Sequence, residues 1–440
     1  MTTKELRKLP ADIYDSDPVR SRLGRTASFQ KRLWLEEATI SGSPPELKRA
    51  VFHGRKSVRW GSTQQVRVGR LRERSARVTT FVRCMSEESS SSRKSLVFLG
   101  TPDVAADVLD VLLEASQDRN SLFQVAAVVT QPPSTRGRGR KLLPSAVEQR
   151  ALDKGFPSDR IFSPQKAGEE PFLEELKDLK PDLCVTAAYG NILPTKFLNI
   201  PRCGTVNVHP SLLPLYRGAA PVQRAIQDGV KVSGVTIAYT VRALDAGPII
   251  AAEKYEVDPN ITAPELLRTL FKKGSDLLLR EMPFVLDGTA KEKAQEQDHS
   301  KATLAPKVTV EESWLNFDEP AEILHNKVRA FAEWPGTRAR FLLCSSSGET
   351  QSIELKVVTT LVNSLSAESL PSGGEVSLVR DALVVPCGRE GADCTYLEIV
   401  KLQPPAKKVM SARDFCNGLR GQKLLKDSKG APLSSVYMAA

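Results

Sequence analysis

From residue 95 onward the sequence repeats one unit: a short apolar run, a Gly or Pro stop, then a stretch whose apolar side chains recur at helical spacing. The first run, 95–99, halts at Gly100, and Pro102 opens an amphipathic stretch with Val104, Val108, Leu109, Leu112 and Leu113 on one face. Runs at 124–129, near Ile161, and at 183–187, 205–208, 235–241 and 249–255 predict further strands. Helices are expected at about 146–154, at 221–228, and from the capping-box sequence Thr262-Ala263-Pro264-Glu265 to about Leu286. Parallel neighbours need a long crossover, and a helix between successive strands supplies it. The alternation therefore predicts an α/β domain over 95–287, Rossmann-like, with a doubly wound and mostly parallel sheet. Ligands of such sheets bind beyond the carboxyl ends of the strands.

The flanking regions read differently. Residues 288–303 are polar and predict a linker. In 304–440 a helix near 321–332 precedes strand-like runs at 340–343, 353–361, 374–378, 382–386 and 395–402, separated by Ser and Gly turns, which fits a small β-barrel or a small sandwich. Residues 1–94 lack sustained periodicity and end in a Ser-rich polar run. Lys and Arg outnumber Asp and Glu by 21 to 10 over 1–94, against 41 to 42 in the remainder, so the net charge of +10 belongs to this extension and is no argument for nucleic-acid binding by the folded part. Ten basic residues and one acid, Glu73, between Arg49 and Cys84 resemble an organelle transit peptide, although Asp12, Asp15 and Asp17 fit one poorly and Met85 offers a second start. No apolar stretch approaches the roughly 18 residues of a membrane span. The seven scattered cysteines suggest reduced core residues rather than a disulfide framework.

Chemistry concentrates at Thr205-Val206-Asn207-Val208-His209 and, further on, at Leu244-Asp245-Ala246-Gly247. With Val206 and Val208 on the buried face of a strand, Asn207 and His209 project together from the other face at its end, where Asp245 can fold back to meet them. An amide donor, an imidazole and a carboxylate suit acyl transfer: the amide stabilises an oxyanion, the imidazole moves a proton, and the carboxylate sets the imidazole's orientation and charge. Only four histidines occur, and His53, His299 and His325 have more polar or basic neighbours. Spacing alone leaves serine-based or metal chemistry open, but there is no G-x-S-x-G elbow and no His/Cys cluster with zinc-ligand spacing, so no metal is expected.

The runs Asn207-Val208-His209-Pro210-Ser211-Leu212-Leu213-Pro214, Tyr216-Arg217-Gly218-Ala219-Ala220-Pro221 and Leu244-Asp245-Ala246-Gly247 resemble the 10-formyltetrahydrofolate-dependent formyltransferases, within them the branch acting on initiator methionyl-tRNA. Phe98-Leu99-Gly100-Thr101-Pro102-Asp103, Gly137-Arg138-Gly139-Arg140-Lys141, Ala187-Ala188-Tyr189-Gly190 and Lys407-Lys408-Val409-Met410-Ser411-Ala412 extend the resemblance from about Ser95 to about Arg420. It implies catalytic roles for Asn207, His209 and Asp245, and folate contacts from Ser211, Leu212, Leu213 and Pro214. It further implies tRNA contacts from Arg136, Arg138, Arg140 and Lys141, and an OB-like C-terminal domain. Formylated initiator tRNA belongs to bacterial-type translation, so with the basic extension a mitochondrial location is expected first and a plastid second; a monomer is expected. Two alternatives stay open. One is another 10-formyltetrahydrofolate enzyme, a hydrolase or a small-molecule formyltransferase, which would need neither the arginine loop nor the C-terminal domain. The other is a non-enzymatic RNA-binding protein, which would not need Asn207, His209 and Asp245.

Overall fold

In the computed structural model, β1 (Lys94–Gly100) is buried on both faces: Leu96 and Phe98 join one apolar cluster, Val97 and Leu99 another. A strand covered above and below belongs at the centre of a sheet with helices on each side. The structure describes residues 93–136, 141–362, 375–388 and 394–427, so the expected N-terminal extension lies almost wholly outside the described residues.

After β1 come α1 (Asp103–Gln117), β2 (Phe123–Val129), the hairpin β3 (Ser134–Arg136) and β4 (Lys141–Leu143), α2 (Ala146–Asp153), β5 (Ile161–Phe162) and α3 (Glu170–Asp178). The domain continues with β6 (Leu183–Ala187), α4 (Thr195–Leu198), β7 (Thr205–His209), α5 (Pro221–Gln227), β8 (Val232–Tyr239), β9 (Ile249–Glu256) and α6 (Ala263–Asp287). Their sheet has the order β5-β2-β1-β6-β7-β8-β9, parallel from β5 to β7 and antiparallel at β8 and β9. This is the mostly parallel, doubly wound arrangement read from the alternation. Packing α1 and α6 with Val206, Val208, Val235 and Ile237 buries one face, and Phe172, Leu173, Leu176 and Phe197 of α3 and α4 cover the other. The start of α6 is fixed as its sequence suggests, with the Thr262 backbone N–H donating to the Glu265 carboxylate at 2.9 Å.

The chain then passes through α7 (Thr289–Lys293) and α8 (Ala321–Ala330) to an antiparallel sheet of β10 (Thr337–Cys344), β11 (Thr350–Val362), β12 (Glu375–Val379), β13 (Ala382–Cys387), β14 (Thr395–Gln403) and β15 (Met410–Ser411), with α9 (Ala412–Asn417) before β16 (Lys423–Lys426). The sheet order is β11-β10-β16-β12-β13-β14-β15, and the extra pairing of β11 with β14 closes it into a barrel. Closure removes the open edges that a sandwich would leave. Leu324 and Val328 of α8 pack into the barrel core with Phe341, Leu383 and Ile399.

Two expectations need correction. The presumed linker 288–303 carries α7, and Gln295 exchanges backbone hydrogen bonds with Ile249 at the start of β9, both 2.8 Å. Its polar composition hides this, because Ala290 is the one residue of the segment in the apolar core and the rest of the hold comes from hydrogen bonds. Of the described cysteines, all free, only Cys184 and Cys387 are buried; the others lie on half-covered positions.

Helix and sheet approach tightly at Gly274 in α6, where an added Cβ would stand 2.5 Å from Val208 Cγ1 and 2.8 Å from Val235 Cγ2. Alanine would gain about 1 kcal/mol of helix propensity. Overpacking against two branched side chains on a fixed sheet costs about 1–3 kcal/mol and acts directly beneath the strand carrying Asn207 and His209. The second effect should win: Gly274→Ala lowers the thermal unfolding midpoint, and a higher midpoint would show that α6 can lift off the sheet without strain.

Candidate active site

Strands β6 and β7 run parallel with Thr186 opposite Asn207, and that register brings their side chains together at the carboxyl end of the sheet. The Thr186 hydroxyl donates to Asn207 Oδ1 at 2.8 Å. With its oxygen thus engaged, the amide has its NH₂ left to donate to a ligand. Thr186 and Asn207 both line a cavity of about 600 Å³ that is walled further by Pro102, Val104, residues 188–193 and residues 240–245. That volume lies within the range of small-molecule sites.

His209 is buried, and its Nε2 lies 3.0 Å from the Tyr216 carbonyl oxygen. A carbonyl can only accept, so Nε2 carries the proton and Nδ1 is left facing Asp245. The Nδ1 to Asp245 Oδ2 distance is 3.8 Å, an ion-pair separation when the imidazole is protonated and too long for a direct hydrogen bond. The expectation that the carboxylate orients the imidazole is therefore corrected: the Tyr216 carbonyl does so, and Asp245 contributes charge. Asp245 itself is held by the Gly218 backbone N–H, which donates to Oδ2 at 2.9 Å. Its backbone sits in the left-handed region at φ 45°, and the turn closes because Gly247 approaches the Tyr239 carbonyl where a Cβ would fall 1.8 Å from the oxygen.

Asn207, His209 and Asp245 are thus brought to one wall, all three lining the cavity. Ser211, Leu212, Leu213 and Pro214 do not line it. The Ser211 hydroxyl donates to the Leu215 carbonyl at 2.6 Å and the Leu213 N–H to the Thr236 hydroxyl at 3.2 Å, so this run forms a turn tied back on itself and on β8. Apolar residues at the rim of the cavity include Ile192, Leu193, Val241 and Leu244, of which Ile192 and Leu244 are 89% and 63% exposed. Sequence reasoning missed Thr186, whose signal was a lone hydroxyl in an otherwise apolar strand, and missed the lining residues, whose loops have no periodicity to read. A second concavity, of about 560 Å³, lies at the opposite end of β6. Its Lys196 and Arg202 are paired with Glu170 and Asp182, and it holds no acyl-transfer set.

The hairpin β3–β4 leaves the carboxyl end of β2, the same end of the sheet as the cavity. Lys141 is exposed on β4 and Arg136 ends β3, while Arg138 and Arg140 lie outside the described residues. Among the described residues no group of three or more His, Cys, Asp or Glu is placed to hold a metal ion.

Comparison with known proteins gives this geometry a family. Residues 93–282 match the formyl transferase family model and residues 307–420 the model of the formyl transferase C-terminal domain. The methionyl-tRNA formyltransferase of Bacillus licheniformis is 36% identical over 337 residues, covering 76% of this chain and 99% of the relative. That of Macrococcus caseolyticus is 38% identical over 327 residues, covering 74% and 96%. In Thermotoga maritima the identity is 40% over 244 residues, covering 56% and 74%. With both family models matched and such relatives aligned nearly end to end, the chain belongs to the formyl transferase family, in its methionyl-tRNA formyltransferase branch.

Proposed function

We infer that the chain transfers a formyl group from 10-formyltetrahydrofolate to the α-amine of methionyl-initiator tRNA, with the chemistry at Asn207, His209 and Asp245. The observation that carries this reading is the Thr186 hydroxyl on Asn207 Oδ1, which leaves the Asn207 NH₂ to donate into a cavity also lined by His209 and Asp245. The folate supplies an activated formyl group on a nitrogen that can leave. Its fit rests on this wall and on the apolar rim of Ile192, Leu193, Val241 and Leu244, which suits a flat heteroaromatic ring.

Attack by the amine turns the formyl oxygen into an oxyanion, and the Asn207 NH₂ is the donor set to meet it. Such a donor contributes on the order of 3 kcal/mol to lowering the barrier when it is held in place beforehand. Thr186 does the holding. The attacking amine must lose a proton and the departing nitrogen must gain one. His209 and Asp245, on the same wall, set an imidazole and a carboxylate 3.8 Å apart beside this exchange. With Nε2 committed to Tyr216, it is Nδ1 that faces Asp245.

We place the activity in an organelle, the mitochondrion first and the plastid second, on the basic composition of 49–84. Recognition of tRNA is assigned to the loop framed by β3 and β4, with Arg138 reading the acceptor stem and Arg136, Arg140 and Lys141 contacting phosphates. These assignments rest on the arginine and glycine content of the loop and on its departure from the catalytic end of the sheet.

Three tests follow from this reading. The full chain given 10-formyltetrahydrofolate and charged initiator tRNA should yield formylmethionyl-tRNA; in Asn207→Ala and Asp245→Asn turnover should drop at least about 100-fold with folate affinity within a few-fold, and near-normal turnover in a folded variant would remove that residue from the mechanism. Arg138→Ala should raise the tRNA KM and narrow the gap between initiator and elongator methionyl-tRNA, since losing one base-edge contact costs about 1–3 kcal/mol. An unchanged KM and gap would reduce the loop to a solvated turn. Finally, a fluorescent protein fused behind residues 1–94 should enter mitochondria. Plastid entry selects the second location, and a diffuse cytosolic signal refutes the targeting role.

A further inference from the structure

Gln297, in the segment joining the two domains, is 5% exposed and uses all of its hydrogen-bonding capacity. Its Nε2 donates to the Asp245 carbonyl at 2.8 Å and to the Gly247 carbonyl at 2.7 Å. Its Oε1 accepts from Arg217 Nε at 3.0 Å and Nη2 at 2.6 Å. Arg217 is itself 8% exposed, and among the described residues no carboxylate lies within ion-pair distance of it; its other side-chain partner is His299 Nδ1, at 3.1 Å from Nη2. A buried guanidinium without a carboxylate is costly unless its charge is taken up by dipoles. Here the Gln297 amide takes it up: a cation on the oxygen polarises the amide and strengthens both N–H donations at the far side.

Those donations land on a turn with a strained backbone. Asp245 is held at φ 45°, in the left-handed region that a residue with a Cβ enters at a cost. On the other side, Arg217 lies between Tyr216, whose carbonyl orients His209, and Gly218, whose N–H binds the Asp245 carboxylate. One side chain therefore ties together the two loops that position the His209–Asp245 pair.

We propose that Gln297 is a positioning residue for formyl transfer, acting with Arg217 to hold Asp245 in its left-handed turn opposite His209. The proposal rests on the function inferred above. Gln297→Glu is the sharpest probe. It keeps the length and the contact with Arg217 but sets a carboxylate oxygen against two carbonyl oxygens. If Gln297 acts through Asp245, Gln297→Glu should lower kcat at least about tenfold with the folate KM within about threefold, and should cost less than about twofold in an Asp245→Asn background, because residues serving one group are not additive. A kcat within about twofold of the unmutated chain, or an equal loss in both backgrounds, overturns the proposal and leaves Gln297 as general scaffold. Should Gln297→Glu fail to fold, Gln297→Asn, which keeps the amide on a shorter arm, is judged by the same two criteria. Absence of any formyl transfer by the unmutated chain would instead refute the inferred function, so the two failures are distinguishable.

Discussion

The parallel register of β6 and β7 is the constraint on which the rest of this site depends. It sets Thr186 opposite Asn207, and a single hydroxyl then decides which end of the amide is free. In another register, Asn207 would lose this partner; shifted by one residue, β7 would exchange its faces, sending Asn207 and His209 into the core and Val206 and Val208 into the cavity. Apolar packing guards against that slip. Val206 and Val208 are 0% and 1% exposed, and Gly274 lets α6 come close against Val208 and the neighbouring Val235. The geometry of the candidate site is thus set by hydrophobic burial on one face of a strand and presented as polar groups on the other.

The second domain is fastened to this scaffold by polar groups as well as by the apolar cluster of Val222, Ile226, Leu266, Leu270, Val308 and Phe331. Arg224 on α5 makes a two-pronged contact with Glu312 at 2.6 and 3.0 Å and holds its carboxyl below the usual carboxylate range. His325 on α8 bridges the Pro259 carbonyl and the Thr360 hydroxyl, and burial pushes its pKa down, which suits a neutral imidazole that donates through one nitrogen and accepts through the other. Arg329 donates to the Ile261 carbonyl at 2.9 Å. The His325 and Arg329 contacts meet the chain at Pro259 and Ile261, between β9 and α6, so the second domain bears on the start of the helix that supports β7.

Much of this was legible in the sequence, for physical reasons. Alternating apolar runs and helical faces are repeated signals spread over many residues, which is why the strands near 183–187 and 205–208 and the start of α6 fall where expected. That Asn207, His209 and Asp245 would meet at one wall was legible because the strand's alternation and the turn at 244–247 bring them together. The orientation of His209 was not, since a backbone carbonyl leaves no mark on composition. The turn 211–214 reads as a ligand contact because its motif adjoins His209; in the structure its Ser211 hydroxyl and Leu213 N–H are engaged by Leu215 and Thr236, which no sequence pattern marks. Gln297 was hidden for a related reason: a polar residue in a polar segment has no contrast, and its burial arises only when 288–303 folds against the loops at 217 and 245.

The strap formed by 295–305 also defines what counts as a separable piece. Gln295 pairs with Ile249, Thr303 and Ala305 bond with Arg217, and Ala305 also receives the Ala220 N–H. A catalytic half cut at the end of α6 would keep every strand of its sheet but would strip Arg217 of Gln297 and His299, leaving a bare cation beside the loops of Tyr216 and Gly218. The modular joint between the two halves therefore falls beyond Ala305, not at the polar stretch where composition changes. Any exchange of one half for another, by recombination or by design, must carry the strap with the catalytic half.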